Sequence, residues 1–368
     1  MISSRIKLFL LLATLLTATA SAQDVKPEVD ADGTITTVSG KIPFSAAASK
    51  EALKRFQEIL LEDKAAPGIT NPLASRKFYD KINTDRAERM KKLYPVEIRD
   101  SKIGGVPVQI VAAVDAKNDD ERVLINLHGG AFLWGAGSGG LVEAIPVASV
   151  SKIKVITVDY REGPENHYPA ANEDVEKVYR AILEHHKPEN IGIYGCSAGG
   201  GLTAQSMVWF QDKHLPMPGA IGIFCAGIWD GAGDSESTGP MLMGQVLPTS
   251  GKSDGPRTEH PYFKGQAFKD FMARLSTPGT FEALIARFPP TLLISGTRDM
   301  ALSKTLVTNE MLGKAGVSSE LHVWEGMWHS FFSDPELPEA KAAYAVMARF
   351  FERELGRPPH APNRKPQP

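Results

Sequence analysis

Cysteine is scarce in this chain: Cys196 and Cys225 are the only two in 368 residues, too few for a disulfide scaffold. No Cys/His cluster has the C-x2-C or H-E-x-x-H spacing of a zinc site, so no metal is indicated. Blocks of Lys or Arg are missing too, and 41 basic against 43 acidic residues leave a formal charge of −2. Such a chain brings no positive field to phosphates, and nucleic acid is not an expected partner. There is no internal repeat. With 42% hydrophobic and 23% charged residues, the composition is neither disordered nor fibrous, and the length fits one large α/β core.

The beginning of the chain stands apart from the fold. Arg5 and Lys7 precede an apolar run, Leu8 to Leu16, that leads to Ala20-Ser21-Ala22. The run is too short for a span of ~20 apolar residues, and the small residues suit a signal-peptidase pocket, so residues 1–22 read as a signal peptide cleaved before Gln23. Two of the 41 basic residues fall within it, leaving 39 against 43 and a mature charge of −4. The expected location is exported, periplasmic or secreted, without a stable membrane anchor after cleavage. The oligomeric state is open.

After a polar leader, residues 45–93 carry amphipathic helix patterns such as Ala52, Leu53, Phe56, Ile59 and Leu60, broken by Pro67 and Pro72. Two β-type runs, Val96 to Arg99 and Val108 to Val114, flank Gly104-Gly105 and predict a hairpin. From there the rhythm changes. Val123 to Leu127, Val155 to Val158, Ile191 to Tyr194, Ile221 to Phe224 and Leu292 to Ile294 are nearly all-apolar runs separated by helix-length stretches. Strands buried on both faces of a mostly parallel sheet read this way. The stretch from Trp229 to Phe288 interrupts the alternation with Gly, Pro, Ser and Asp clusters around a short helix, Phe268 to Leu275. Connections of that length are usually lids or binding elements, so it reads as a cap over the carboxyl ends of the strands. Five prolines in the last eleven residues predict a disordered tail from Gly356.

Gly195-Cys196-Ser197-Ala198-Gly199-Gly200-Gly201 follows a predicted strand and opens a predicted helix. A G-x-S-x-G nucleophile elbow needs that setting, because a strained turn pushes the serine hydroxyl out while a side chain on the flanking residues would strike neighbouring backbone. Ser197 is therefore the candidate nucleophile. A serine hydroxyl needs a base, and the base needs an orienting acid. Asp299 follows the strand Thr291 to Ser295, and His329 follows the strand Glu320 to Trp324, so both fall on the same sheet edge as Ser197. His128-Gly129-Gly130-Ala131 follows the strand Val123 to Leu127, where the N–H groups of Gly129 and Gly130, with that of Ala198, would form an oxyanion hole.

These motifs resemble the hormone-sensitive lipase family of α/β-hydrolases, the bacterial carboxylesterases with the H-G-G-G motif. The resemblance runs from about Val123 to Phe351, through Asp159-Tyr160-Arg161 with Pro164-Glu165, Tyr168-Pro169-Ala170, the elbow, Pro289-Pro290-Thr291-Leu292, Arg298-Asp299 and Gly326-Met327 with His329. It implies an α/β-hydrolase fold, a mostly parallel central sheet flanked by helices with a cap. It also implies a Ser197-His329-Asp299 triad, oxyanion donors at Gly129, Gly130 and Ala198, and no cofactor. Asp159, Arg161 and Glu165 resemble a buried structural network. Two departures stand out: Ala131 replaces the third glycine, and Cys196 replaces the acid that usually precedes the nucleophile.

The organisation expected is therefore a signal peptide (1–22), leader and N-terminal cap helices (23–93), a core in two parts (94–228 and 289–355), a cap insertion (229–288) and a tail (356–368). The function expected is a serine carboxylesterase for short-acyl or small carboxylic esters. A peptidase or amidase on the same fold is the runner-up, and a non-catalytic ligand-binding protein ranks lower because His329 is retained. Gly135, Gly137 and Gly140, with Asp159 19 residues beyond, imitate a dinucleotide site. However, the pyrophosphate turn needs its first glycine at the strand's end, and His128 to Trp134 intervenes. Phe132, Trp134 and Trp328 are the candidate substrate-binding residues, with Trp229, Phe263, Phe268 and Phe271 as further aromatics. Whether Cys196 and Cys225 are bonded is left open, since their strands are expected to be neighbours.

Overall fold

The computed structural model describes residues 42–114, 121–228, 233–244, 260–275, 277 and 279–356. The signal-peptide and leader expectations for 1–41, Trp229 and the tail beyond Gly356 lie outside the described residues. None of the described helices is long and apolar enough to cross a membrane.

Two helices come first, α1 (Lys50–Ala65) and α2 (Pro72–Leu93). Pro72 opens α2, where its missing N–H leaves no extra unpaired donor, and Asn71 caps it by accepting the Ala74 N–H. The hairpin of β1 (Val96–Ile103) and β2 (Val106–Ala113) turns at Gly104-Gly105, both with positive φ as a two-residue hairpin turn requires. Then strands and helices alternate: β3 (Val123–Leu127), α3 (Ser138–Ser151), β4 (Lys154–Val158), α4 (Ala170–Leu183), β5 (Ile191–Cys196), α5 (Ala198–Asp212) and β6 (Ala220–Phe224). Three short helices follow, α6 (Ser235–Leu242), α7 (Gln266–Leu275) and α8 (Thr280–Ile285), before β7 (Thr291–Gly296), α9 (Leu302–Lys314), β8 (Ser319–Trp324) and α10 (Pro338–Glu354).

The eight strands form one sheet in the order β1-β2-β4-β3-β5-β6-β7-β8, antiparallel at β1, β2 and β4 and parallel from β4 onward. Every residue of β3, β5, β6 and β7 is buried, which accounts for their unbroken apolar runs. One core packs α3 and α10, with Ala52, Ala87 and Met90 of α1 and α2, on one face of the sheet. The other packs Val175 and Tyr179 of α4, Leu202 and Phe210 of α5 and Leu312 of α9 on the opposite face. Leu127 pairs with Gly195, Cys196 with Phe224 and Phe224 with Ile294, so these strands end together at one edge. In open α/β sheets ligands bind outside that carboxyl edge.

Candidate active site

Ser197 is the single residue between β5 and α5, with φ 56° and ψ −119°. Its backbone N–H donates to the Phe224 carbonyl at 2.8 Å, which anchors the turn to β6. The glycines around it are steric necessities. A Cβ on Gly195 would sit 2.1 Å from the Leu127 carbonyl oxygen, one on Gly199 1.7 Å from the same atom, and one on Gly200 2.9 Å from the Phe224 oxygen. Gly201, by contrast, has open space where its Cβ would be.

Asp299 sits three residues past β7 and is wholly buried. Its Oδ1 lies 2.7 Å from His329 Nδ1 and accepts the Ala301 N–H at 2.8 Å, while Oδ2 accepts the Ser295 hydroxyl at 2.8 Å. Burial by itself would raise this carboxyl, but the His329 imidazole and these donors hold it below the usual aspartate range. His329 is delivered by the turn after β8, so acid and imidazole come from neighbouring strands.

Ser197 and His329 both line two cavities. The first, about 480 Å³, is walled by Phe132, Phe263, Phe268, Phe271, Phe288 and Met300. The second, about 470 Å³, is more polar and is bounded by Gly130, Ala131, Tyr79, Trp134, Arg298 and Trp328. The three candidate substrate-binding aromatics thus divide, with Phe132 in one cavity and Trp134 and Trp328 in the other. Phe263, Phe268 and Phe271 bring the segment between β6 and β7 to the wall of the first cavity.

The loop after β3 is held rigidly. The Tyr160 hydroxyl donates to the His128 carbonyl at 2.7 Å, and the two rings stack at 4.2 Å. Burial pushes the His128 imidazole down to about 4, so it is neutral, with Nδ1 2.8 Å from the Gly129 carbonyl. The Gly129 N–H does not face Ser197's hydroxyl as a free donor: it donates to Glu143 Oε1 at 2.8 Å. This corrects the assignment of Gly129 as an oxyanion donor, because a buried carboxylate occupies its one N–H.

A family model for the alpha/beta hydrolase fold matches residues 124–333. The chain is 31% identical over 247 residues to LipR of Mycobacterium tuberculosis, named as an acetyl-hydrolase, covering 66% of this chain and 76% of that one. The solved structure of esterase E25 aligns at TM-score 0.69 and 26% identity, covering 87% of this chain and 98% of that one. An esterase of the bacterial hormone-sensitive lipase family shares the fold at TM-score 0.62 and 24% identity, over 84% of this chain and all of that one.

This chain belongs to the hormone-sensitive lipase family of α/β-hydrolases. It is a carboxylic ester hydrolase. Against that family's pattern, the acid missing at Cys196 has a counterpart elsewhere. Glu143, from α3, accepts the Cys196 N–H at 3.2 Å and the Asn126 amide at 3.0 Å, besides the Gly129 N–H. Burial pushes its carboxyl up to about 7, against the pull of those three donors. Sequence reasoning missed Glu143. A signal existed: it is the one charged residue in α3, a helix apolar all round and therefore buried.

Cys196 and Cys225 are free thiols. Cys196 Sγ lies 2.9 Å from Ser330 Oγ, and Cys225 Sγ accepts the Ser330 N–H at 3.3 Å. Among the described residues, one trio could in principle ligate a metal: Cys225, Asp299 and His329, with atoms within 4.8 Å. Burial pushes the Cys225 thiol up, and Asp299 and His329 hold each other, so the set is better suited to their mutual hydrogen bond than to a cation.

The expected buried network of Asp159, Arg161 and Glu165 is a set of separate contacts. Asp159 Oδ1 accepts the Gly137 N–H at 2.7 Å, Arg161 pairs with Asp174 and Glu173, and the exposed Glu165 pairs with Arg76. The buried acid of this stretch is Glu162, which burial pushes up to about 7 and which lies 3.7 Å from Arg76. The glycines of the dinucleotide-like motif serve packing. A Cβ on Gly135 would strike the Gly129 oxygen at 2.3 Å, and one on Gly140 the Thr157 hydroxyl at 2.2 Å.

Proposed function

We propose that this protein is a serine carboxylesterase acting on short-acyl or small esters, with Ser197 as nucleophile, His329 as general base and Asp299 as its orienting acid. Ser197 Oγ attacks the ester carbonyl while His329 takes the hydroxyl proton. The N–H groups of Gly130 and Ala198, joined by Ala131 in place of Gly129, stabilise the oxyanion. His329 then returns the proton to the leaving alcohol, an acyl-enzyme remains on Ser197, and water releases the acid by the same route.

The observation that carries this reading is the Asp299–His329 bond of 2.7 Å on the edge where Ser197 stands, with serine and imidazole opening onto the same two cavities. The pair holds the imidazole with Nδ1–H toward the acid, which leaves Nε2 free of its proton for base catalysis. The short-acyl preference rests on the bulk of the phenylalanines that line the first cavity. Steady-state kinetics on an acyl-length series, together with matched anilides, tests it. Rates peaking at short esters support the reading, a maximum at long chains removes the substrate claim, and faster anilide cleavage replaces esterase by amidase. Undiminished turnover by Ser197→Ala overturns the nucleophile.

A further inference from the structure

Glu143 is largely but not fully buried, on a helix whose other residues are uncharged. A carboxylate is retained in such a place only if its oxygens are met by donors. Here three converge: the Gly129 N–H on one oxygen, and the Asn126 amide and Cys196 N–H on the other. Gly129 opens the loop whose next residues face the cavity, and Cys196 immediately precedes Ser197. One carboxylate therefore bridges the two backbone segments that must hold a fixed spacing. They are close already: a Cβ on Gly129 would lie 3.0 Å from the Cys196 carbonyl and 3.6 Å from the Ser197 Cβ. Gly130 is at φ +118° and Ala131 and Phe132 are both left-handed, a conformation that must be imposed from outside. Tyr160 holds the loop at the His128 carbonyl, and Glu143 ties it at Gly129 to the strand end before Ser197. Asn126 is itself fixed, because its Oδ1 accepts the Thr157 hydroxyl at 2.8 Å.

We propose that Glu143 is a positioning residue for ester hydrolysis, a carboxylate clamp that sets the distance between the oxyanion donors of the 129–131 loop and the Ser197 hydroxyl. The inference rests on the reading of Ser197 and of those N–H groups given above. Glu143 borders the second cavity, but its hydrogen bonds go to Gly129, Asn126 and Cys196 rather than to Ser197 or His329. It acts on the tetrahedral intermediate, where a displaced donor loses most of its effect, and leaves ground-state binding alone.

The test uses the full chain with Glu143→Gln and Glu143→Asp. The amide presents an NH2 group to one of the N–H donors and so breaks one arm of the clamp. The shorter acid keeps the charge but cannot span both segments. With active sites counted by a fluorophosphonate, kcat per titrated site for Glu143→Gln should fall ~10²-fold, the scale of losing one oxyanion donor. KM should stay within about twofold. Affinity for a trifluoromethyl ketone, whose carbonyl takes up the serine as a tetrahedral oxyanion, should fall by the same factor as kcat/KM, with Glu143→Asp between the two. A role in stability alone would lower the number of titrated sites and the melting temperature but leave kcat per site unchanged, and that result overturns the proposal. Should Glu143→Gln fail to fold, wild-type kcat in Glu143→Asp overturns it equally. Ser197→Ala is assayed alongside. Its inactivity with a fully active Glu143→Gln removes this inference only, whereas turnover surviving in Ser197→Ala removes both readings.

Discussion

Asp299 Oδ1 lies 2.7 Å from His329 Nδ1, and the carboxylate is wholly buried while the imidazole side chain is 27% exposed. Burial of one partner and access of the other are what an orienting acid and a working base require. The acid has two further fixed donors, the Ser295 hydroxyl and the Ala301 N–H, and cannot turn away, whereas the ring reaches the cavities.

Asp299→Asn should lower kcat by about 10⁴, by analogy with other triads, while circular dichroism stays that of the wild type. The amide NH2 would face Nδ1 and move the ring proton to Nε2, leaving no base for Ser197. A loss under tenfold in steady-state kinetics would remove Asp299 from this role.

Gly199→Ala and Gly201→Ala should separate sharply, although both residues lie in one Gly-rich run. A Cβ at 199 meets the Leu127 oxygen at 1.7 Å, so the elbow must deform, and a loss of at least 1–3 kcal/mol is expected on the scale of overpacking (about). At 201 the space is open and the residue is helical, so alanine should be neutral or stabilising by up to about 1 kcal/mol. Urea unfolding of the two variants decides it.

Glu162 makes the fold weaker at higher pH. Its folded carboxyl is raised to about 7 from 4.5, so between these values the native state holds a proton that the unfolded chain has released. Stability from this group is therefore lost as pH rises through the window, by an amount on the order of 3 kcal/mol. The drop in unfolding free energy from pH 5 to pH 8 should be smaller in Glu162→Gln than in the wild type. An equal drop would show that another group is responsible.

The signal-peptide reading predicts a mature chain that begins at Gln23 and is recovered outside the cytoplasmic membrane. Amino-terminal sequencing of the protein from each cell fraction checks this. An intact Met1 on cytosolic protein would refute export.

The alternation of strands and helices, the hairpin at Gly104-Gly105 and the elbow around Ser197 were all legible in the chain itself. Each is governed by short-range rules: apolar runs mark strands buried on both faces, and glycine marks backbone that a side chain would block. Chain order alone placed Ser197, Asp299 and His329 on one edge, because parallel strands put their following loops on the same side. What the fold decided was the use of each polar group. Gly129 looked like a free donor until Glu143, 14 residues on, arrived from α3 to accept its N–H. Glu165 and Arg161 looked buried, yet Glu165 is exposed, Arg161 is only partly covered, and Glu162 beside them is the buried acid. A hydrogen bond depends on positions and directions accurate to a few tenths of an ångström, and that accuracy exists only once the helices have packed onto the sheet.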